Sequence, residues 1–484
     1  MQGIYSIDFL TEQAKAWVSM NQYQHLLELM CVLLSIYFWL QRAYKPKSKG
    51  KKKLTREEIE LACKQWKSVP LGEPPHSDAE AAWKRNSLAA EYDYVMKSES
   101  RETVDVADAK GALNLASFNF SGLQGSDQVK EACAETMKHY GCGSCGPRGF
   151  YGTTDVHLRC EERVAEFCGS KDAIIYSFGT ATMSSVIPAF CKRDDVLICD
   201  EGVSYAVQAG CHLSRSQIHW FKHNDLEDLK RILEDIHQAD VADPKRPSRQ
   251  RRFIVLEALY TDYGDFAPLK EIIMLKNQYK YRLIVDESNS IGVLGASGHG
   301  VCEELSIPRD EIEVSGGDFS PALGTIGGFI VGERIVVNHQ RLSGAGYCFS
   351  ASQPPYLATA AIEAMNLLDS EGESRVGKLR QLTRKFRDLL STGCGKCVEV
   401  LGDRDSPIVH LKLLGTEDDV ELQKATLRKQ KQLLDEGVFV SAPLYVGMIH
   451  KIPEPTLRLS VSAAHDEKML TEAAVKICTV LTRD

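Results

Sequence analysis

From Leu113 onward the chain alternates short apolar runs with stretches of helical periodicity, and this pattern constrains the fold more than any other feature. Ala173-Ile174-Ile175-Tyr176, Val196-Leu197-Ile198-Cys199, Phe253-Ile254-Val255-Leu256 and Leu283-Ile284-Val285 read as buried strands. Between them, residues 225–236 and 269–279 read as helices. Such alternation predicts an α/β fold, with a mostly parallel sheet covered by helices on both faces. A large domain over residues 111–355 is expected, followed from a helix at 356–368 by a C-terminal α+β small domain over 356–484.

A chain of 484 residues is too long for one simple core. Its net charge of −8 argues against nucleic acid as a general partner, because phosphate binding wants positive charge. The 15 cysteines follow no disulfide-framework spacing, which suits a reducing compartment. Two Cys-x-x-Cys pairs, Cys142/Cys145 and Cys394/Cys397, are embedded in glycine and read as tight loops. A zinc site would need both pairs brought together or histidines at finger spacing, so no metal site is expected.

Near the N-terminus, residues 26–40 form an apolar run interrupted only early, by Glu28, and ending on Tyr37 and Trp39. Lys45, Lys47, Lys49, Lys51, Lys52 and Lys53 follow closely. That asymmetry predicts a transmembrane anchor over residues 25–41, with a short segment 1–24 across the membrane and the rest cytosolic. The run is short for a span, so an interfacial helix is the alternative. A signal peptide would carry its positive charge before the apolar run. Residues 42–110 read as a basic linker and N-terminal arm, with a capping box at Thr55-Arg56-Glu57-Glu58. The segment 244–252, rich in arginine, reads as an exposed basic loop, with a membrane-surface or partner role as the alternative.

Ligands of doubly wound sheets sit beyond the carboxyl ends of strands. Asp286 stands at such an end and can pair with a cationic ring nitrogen, or simply serve a turn. Ser350 and Ser352, just before Pro354-Pro355, can bind phosphate at a helix start, or cap it. Residues 141–153 form a glycine-dense loop around Arg148, suited to close backbone approach or to a tight interface. Arg458 can clamp a carboxylate or sit in an ion pair.

Several motifs fall in one order: Asn119-Phe120-Ser121-Gly122-Leu123, Gly152-Thr153 with His157 and Glu161, Glu257-Ala258-Leu259-Tyr260, Asp286-Glu287-Ser288, Ile326-Gly327-Gly328-Phe329 and Phe349-Ser350-Ala351-Ser352-Gln353-Pro354-Pro355. Together they resemble the α-oxoamine synthase family of fold-type I pyridoxal phosphate (PLP) enzymes, over about residues 113–465. The resemblance implies a PLP-transferase-like large domain. It also places the family's Schiff-base lysine on Pro321, its ring-stacking histidine on Ser204 and the histidine of its Asp-Glu-Ala-His motif on Asn289. Proline carries no amine to hold an aldehyde. No catalytic residue is therefore expected in this chain.

The loop Gly143-Ser144-Cys145-Gly146-Pro147-Arg148-Gly149-Phe150-Tyr151-Gly152 and the N-terminal run make the chain similar to non-catalytic long-chain-base subunits of that family. The resemblance then implies a heterodimer whose catalytic subunit carries the lysine and PLP. Ser350 and Ser352 would reach the partner's PLP across the interface. Cys145, Gly146, Arg148 and Tyr151 would lie near the partner's substrate channel. The implied reaction condenses L-serine with palmitoyl-CoA to 3-oxosphinganine, at the endoplasmic reticulum membrane, with small activating or regulatory membrane subunits as further partners. Two rivals are a self-sufficient enzyme using another lysine such as Lys270, and a non-enzymatic scaffold.

Overall fold

A computed structural model of the chain describes residues 11, 12, 15, 22–40, 55–66, 94–144, 146–395, 397–415, 418–445 and 450–483. The lysine run at 45–53 and Cys145 lie outside the described residues. Helices α1 (Gln22–Leu40) and α2 (Arg56–Gln65) belong to a unit of their own, separate from the unit that holds everything from Tyr94 onward.

In α2 both arms of the expected capping box are made: the Thr55 hydroxyl accepts from the Glu58 amide, and the Glu58 carboxylate accepts from the Thr55 amide. The expected transmembrane anchor is corrected by α1. Among the described residues no helix is long and apolar enough to cross a membrane. Gln22, Gln24, His25 and Glu28 occupy the opening turns of α1. The apolar remainder, from Leu29 to Leu40, rises only about 18 Å, short of a hydrocarbon core of about 30 Å.

In the second unit, β1 (Thr103–Val106) and β2 (Ala109–Asn114) form an antiparallel hairpin. The central sheet contains β3 (Asp172–Tyr176), β4 (Val196–Asp200), β5 (Gln217–Phe221), β6 (Arg252–Glu257), β7 (Arg282–Asp286), β8 (Val314–Asp318) and β9 (Gly328–Gly332). Their spatial order is β3-β9-β8-β7-β6-β4-β5. β9 runs against both of its neighbours, while β8, β7, β6, β4 and β5 pair in parallel. The sheet is thus mostly parallel, as the alternating pattern predicts. Every residue of β4 and β6 is buried, the signature of a sheet covered on both faces. Arg252, the one cation in β6, is matched by Asp240 at 2.7 Å.

The covering helices are α3 (Asp127–Tyr140), α4 (Asp155–Phe167), α5 (Gly179–Phe190), α6 (Tyr205–Ser214), α7 (Leu226–Ala242), α8 (Leu269–Tyr279), α9 (Ser320–Leu323) and α10 (Arg334–Ser343). α7 starts where its sequence says it should, with the Asp225 side chain accepting from the Asp228 amide. The long helix α11 (Pro355–Gly393) follows, then β10 (Val398–Leu401), β11 (Ile408–Leu413), α12 (Asp419–Asp435), β12 (Val438–Phe439), β13 (Leu457–Ser460) and α13 (Glu467–Thr482). β10, β11 and β13 form an antiparallel sheet, and β12 pairs in parallel with β2. One apolar core joins Ile198, Ile254 and Ile284 of the central sheet to Phe386, Leu411 and Leu459 of these C-terminal elements. Burying side chains of that size stabilises by about 1.5–3 kcal/mol each.

Candidate functional site

The carboxyl ends of β6, β7 and β8 carry Glu257, Asp286 and Asp318. Asp286 and Asp318 line a cavity of about 250 Å³ together with Phe118, Ser204, Asn289 and Pro321. Glu257 and Asp286 are register partners on adjacent parallel strands. Burial, and then the charge of Asp286, pushes the Glu257 carboxyl up to about 8. Burial raises Asp286 to about 6, against the hydrogen bond it receives from the Ser288 amide at 2.8 Å. Burial also raises Asp318. Both oxygens of Glu257 accept backbone amides, from Ser204 at 2.7 Å and Thr261 at 3.2 Å.

A PLP molecule would need an amine for its aldehyde, a counter-charge for its ring nitrogen and donors for its phosphate. Of these the cavity offers the ring partner, Asp286, and hydroxyls such as Thr180 and Ser320, but no amine and no cation among the described residues. Pro321 sits in the first turn of α9, where a missing amide costs nothing. No lysine, arginine or histidine lines the cavity among the described residues. The N-terminus of α5 is the natural anion site here, yet the chain's own Asp318 carboxyl packs against its first residue, Gly179. Asn289 turns inward and donates to Thr261 Oγ1 at 2.7 Å. The residues present do not fit PLP. Lys270, on the exposed first turn of α8, is no substitute for the missing amine.

Arg458, on β13, stacks 4.4 Å over the Phe118 ring at the cavity's edge. Its only described hydrogen bond from the guanidinium is a long one to Ser441 Oγ, 3.5 Å. It is therefore not the surface ion pair that the sequence allowed. Burial lowers its pKa, partly countered by Tyr445 and Asp262.

A second cluster joins the two expected interface loops into one clasp. The Ser352 amide donates to the Gly146 carbonyl at 2.9 Å, and Ser352 Oγ donates to the same oxygen at 3.1 Å. Ser144 Oγ donates to the Ser352 carbonyl at 2.8 Å, and Pro147 and Ala351 form a β-bridge. Gly152 is required here, since any side chain would strike the Gly146 carbonyl and Ser352 Oγ. The buried His157 receives the Thr154 amide on Nδ1 at 3.0 Å, so its Nε2 donates to the Gln353 carbonyl at 2.8 Å. Burial lowers the pKa of that imidazole, which agrees with a neutral ring.

Arg148 anchors the clasp from below. Its Nη1 lies 3.0 Å from Glu161 Oε1, with both side chains buried. Arg341 of α10 donates to the same carboxylate at 3.2 Å, and the Ile175 amide adds a further bond at 3.2 Å. The structure thus brings Gly146, Arg148, Ser350 and Ser352 together, while dividing their roles. Arg148 and Ser352 are buried inside the clasp. Ser350 is partly exposed, and Phe150, Tyr151 and Phe349 stand out at 74%, 85% and 87% exposure. Asp318 and Arg341 were not singled out from the sequence, and Glu161 was named only as part of a motif, without its ion-pair role. A lone carboxylate after two glycines gives Asp318 no local pattern, and the three-way ion pair spans α4, α10 and the loop.

Comparison with known proteins places this geometry. Residues 110–477 match the family model of class I and II aminotransferases. Long chain base biosynthesis protein 1b of Oryza sativa subsp. japonica is 41% identical, with 92% of this chain and 88% of that protein covered. Serine palmitoyltransferase 1 of Dictyostelium discoideum is 36% identical, with 93% and 92% covered. Among solved structures, one of SPT with a PLP internal aldimine superposes with a TM-score of 0.72 at 26% identity, covering 83% of this chain and 96% of that one. The chain belongs to the class I and II aminotransferase family, among the relatives named long chain base biosynthesis protein 1 and serine palmitoyltransferase 1.

Proposed function

We infer that this chain is the non-catalytic subunit of a serine palmitoyltransferase, the enzyme that condenses L-serine with palmitoyl-CoA to 3-oxosphinganine in the first step of sphingolipid synthesis. One observation carries the inference: at the end of β8, where the family's chemistry needs an amine, the chain has Pro321. The Asp318 carboxyl on the α5 N-terminus supports it, because a phosphate would have to displace that group. PLP is then the cofactor of a catalytic partner subunit, and no step of the reaction is assigned to this chain's cavity. Its own residues supply architecture. The Arg148–Glu161–Arg341 ion cluster fixes the 144–152 loop against the 350–353 turn. The clasp then presents Ser350, Phe150, Tyr151 and Phe349 outward, toward the partner's site.

We also place the complex at the endoplasmic reticulum membrane, held through α1, whose side chains from Leu26 to Leu40 are exposed. Small regulatory membrane subunits would meet it there. Carbonate extraction of full-length chain against a chain lacking residues 1–40 tests that placement; equal release of both would refute it.

The subunit assignment is tested by purifying the chain alone and with a lysine-bearing partner, then reading aldimine absorbance and borohydride-trapped adducts. Absorbance in the complex, with the adduct on the partner, is the expected result. A vitamin B6 adduct on this chain would overturn the assignment.

A further inference from the structure

The first cysteine of the second Cys-x-x-Cys pair, Cys394/Cys397, acquires a partner from far along the chain. Cys394, the residue that ends α11, lies with its Sγ 2.9 Å from the Sγ of Cys478 on α13. Both are shielded, at 1% and 9% exposure. Room for the sulfur comes from Gly393, where a Cβ would stand 2.7 Å from Cys478 Sγ. Around the pair, Leu390, Ile477 and Leu481 pack α11 and α13 into the same core, with Cys478 inside α13 and Cys394 at the cap just past α11. Cys397, three residues on, is exposed.

We propose that Cys394 and Cys478 are an oxidation site, converted by hydrogen peroxide into an intrachain disulfide that staples α13 to the end of α11. Cys478, the less covered of the two, is oxidised first: its sulfur takes one peroxide oxygen, giving a sulfenic acid and one water. The Cys394 sulfur then attacks the sulfenic sulfur, the S–S bond forms, and the hydroxyl leaves with the thiol proton as a second water. Two thiols are oxidised and one peroxide is reduced to two waters, with no other reactant. The closed loop spans 84 residues, so the bond restricts the unfolded chain strongly. Burial, and then the neighbouring Cys478 thiol, keeps the Cys394 thiol protonated in the reduced protein.

The full-length chain is treated with hydrogen peroxide, alkylated under denaturing conditions and digested without reduction. The expected product is one peptide pair joining Cys394 to Cys478, also formed in Cys397→Ser and missing in Cys478→Ala. The melting temperature should rise by several degrees on oxidation and fall back with dithiothreitol. Recovery of both thiols in alkylated form, or pairing of Cys394 with Cys397, would overturn the proposal. The wild-type peptides decide the matter even if the Cys478→Ala chain does not fold.

Discussion

Asp318, at the end of β8, lays its carboxyl group against Gly179, the first residue of α5. The partial positive charge of a helix N-terminus favours an anion there, and a glycine leaves the space for it. The Asp318 carboxyl thus occupies space beside the start of α5 while accepting from the Ser320 amide at 2.8 Å. Gly179→Ala should destabilise the fold by about 1–3 kcal/mol through overpacking, read by urea unfolding. In the double variant Gly179→Ala/Asp318→Ala the loss should be smaller than the sum of the single losses. Additive losses would mean that the two residues do not interact.

Restoring the amine alone should not restore the site. In Pro321→Lys, purified without a partner and mixed with PLP, no internal aldimine band should appear, and borohydride should trap no adduct on residue 321. Asp318 still covers the α5 N-terminus, and no cation lines the cavity among the described residues. A stoichiometric adduct at position 321 would show that the missing lysine was the cavity's only defect.

The strands with dense β-branched sequence, β4, β6 and β7, were legible because burial on both faces leaves an uninterrupted apolar run. β8 and β9 were not: Val-Ser-Gly-Gly-Asp and Gly-Phe-Ile-Val-Gly spend their glycines on close approach, and a Cβ at Gly316 would overlap the Phe329 carbonyl. Pro321 and Ser350 could be singled out because each sits in a recognisable local motif. Asp318 on Gly179, and Glu161 between Arg148 and Arg341, are meetings of distant segments that no window of sequence contains. The span at 25–41 failed for a simpler reason: a run of apolar residues states hydrophobicity, and the polar opening turns of α1 decide its usable length.

Glu161 should be the costliest single loss in the clasp. It holds two buried or half-buried guanidinium groups, Arg148 at 3.0 Å and Arg341 at 3.2 Å. Removing one member of a buried ion cluster leaves uncompensated charge, worth about 3–5 kcal/mol. Glu161→Ala should therefore lower unfolding stability by that order and release the 144–152 loop. Limited trypsin cleavage after Arg148, which is 7% exposed in the intact fold, reports the release directly. Unchanged resistance at that bond would place the loop's anchor elsewhere.

The facing carboxyls of Glu257 and Asp286 should make the fold weaker as pH rises. Both are raised above ordinary carboxylate values, Glu257 to about 8 and Asp286 to about 6, with burial the largest cause. A raised carboxyl binds its proton more tightly in the folded than in the unfolded chain. Its contribution is complete below the unfolded value near 4 and is lost as pH climbs through the folded one. Buried neutral histidines act in the opposite sense but at lower pH: burial depresses His410 to about 3 and His465 to about 4, so their contribution is complete above about pH 6.5. From pH 6.5 to 8 Glu257 contributes a slope of up to about 1.4 kcal/mol per pH unit. The contribution of His223, which burial lowers but hydrogen bonds to Asp200 and Asp265 raise to about 9, falls in the same sense and adds to it. Glu257→Gln removes the titration but leaves one backbone amide facing its NH2 group, so the comparison is of pH slopes and not of absolute stability. Urea unfolding across that window should show the variant's stability falling less steeply than that of wild type, by up to about 1.4 kcal/mol per pH unit; parallel curves would mean that Glu257 is already ionised at pH 6.5.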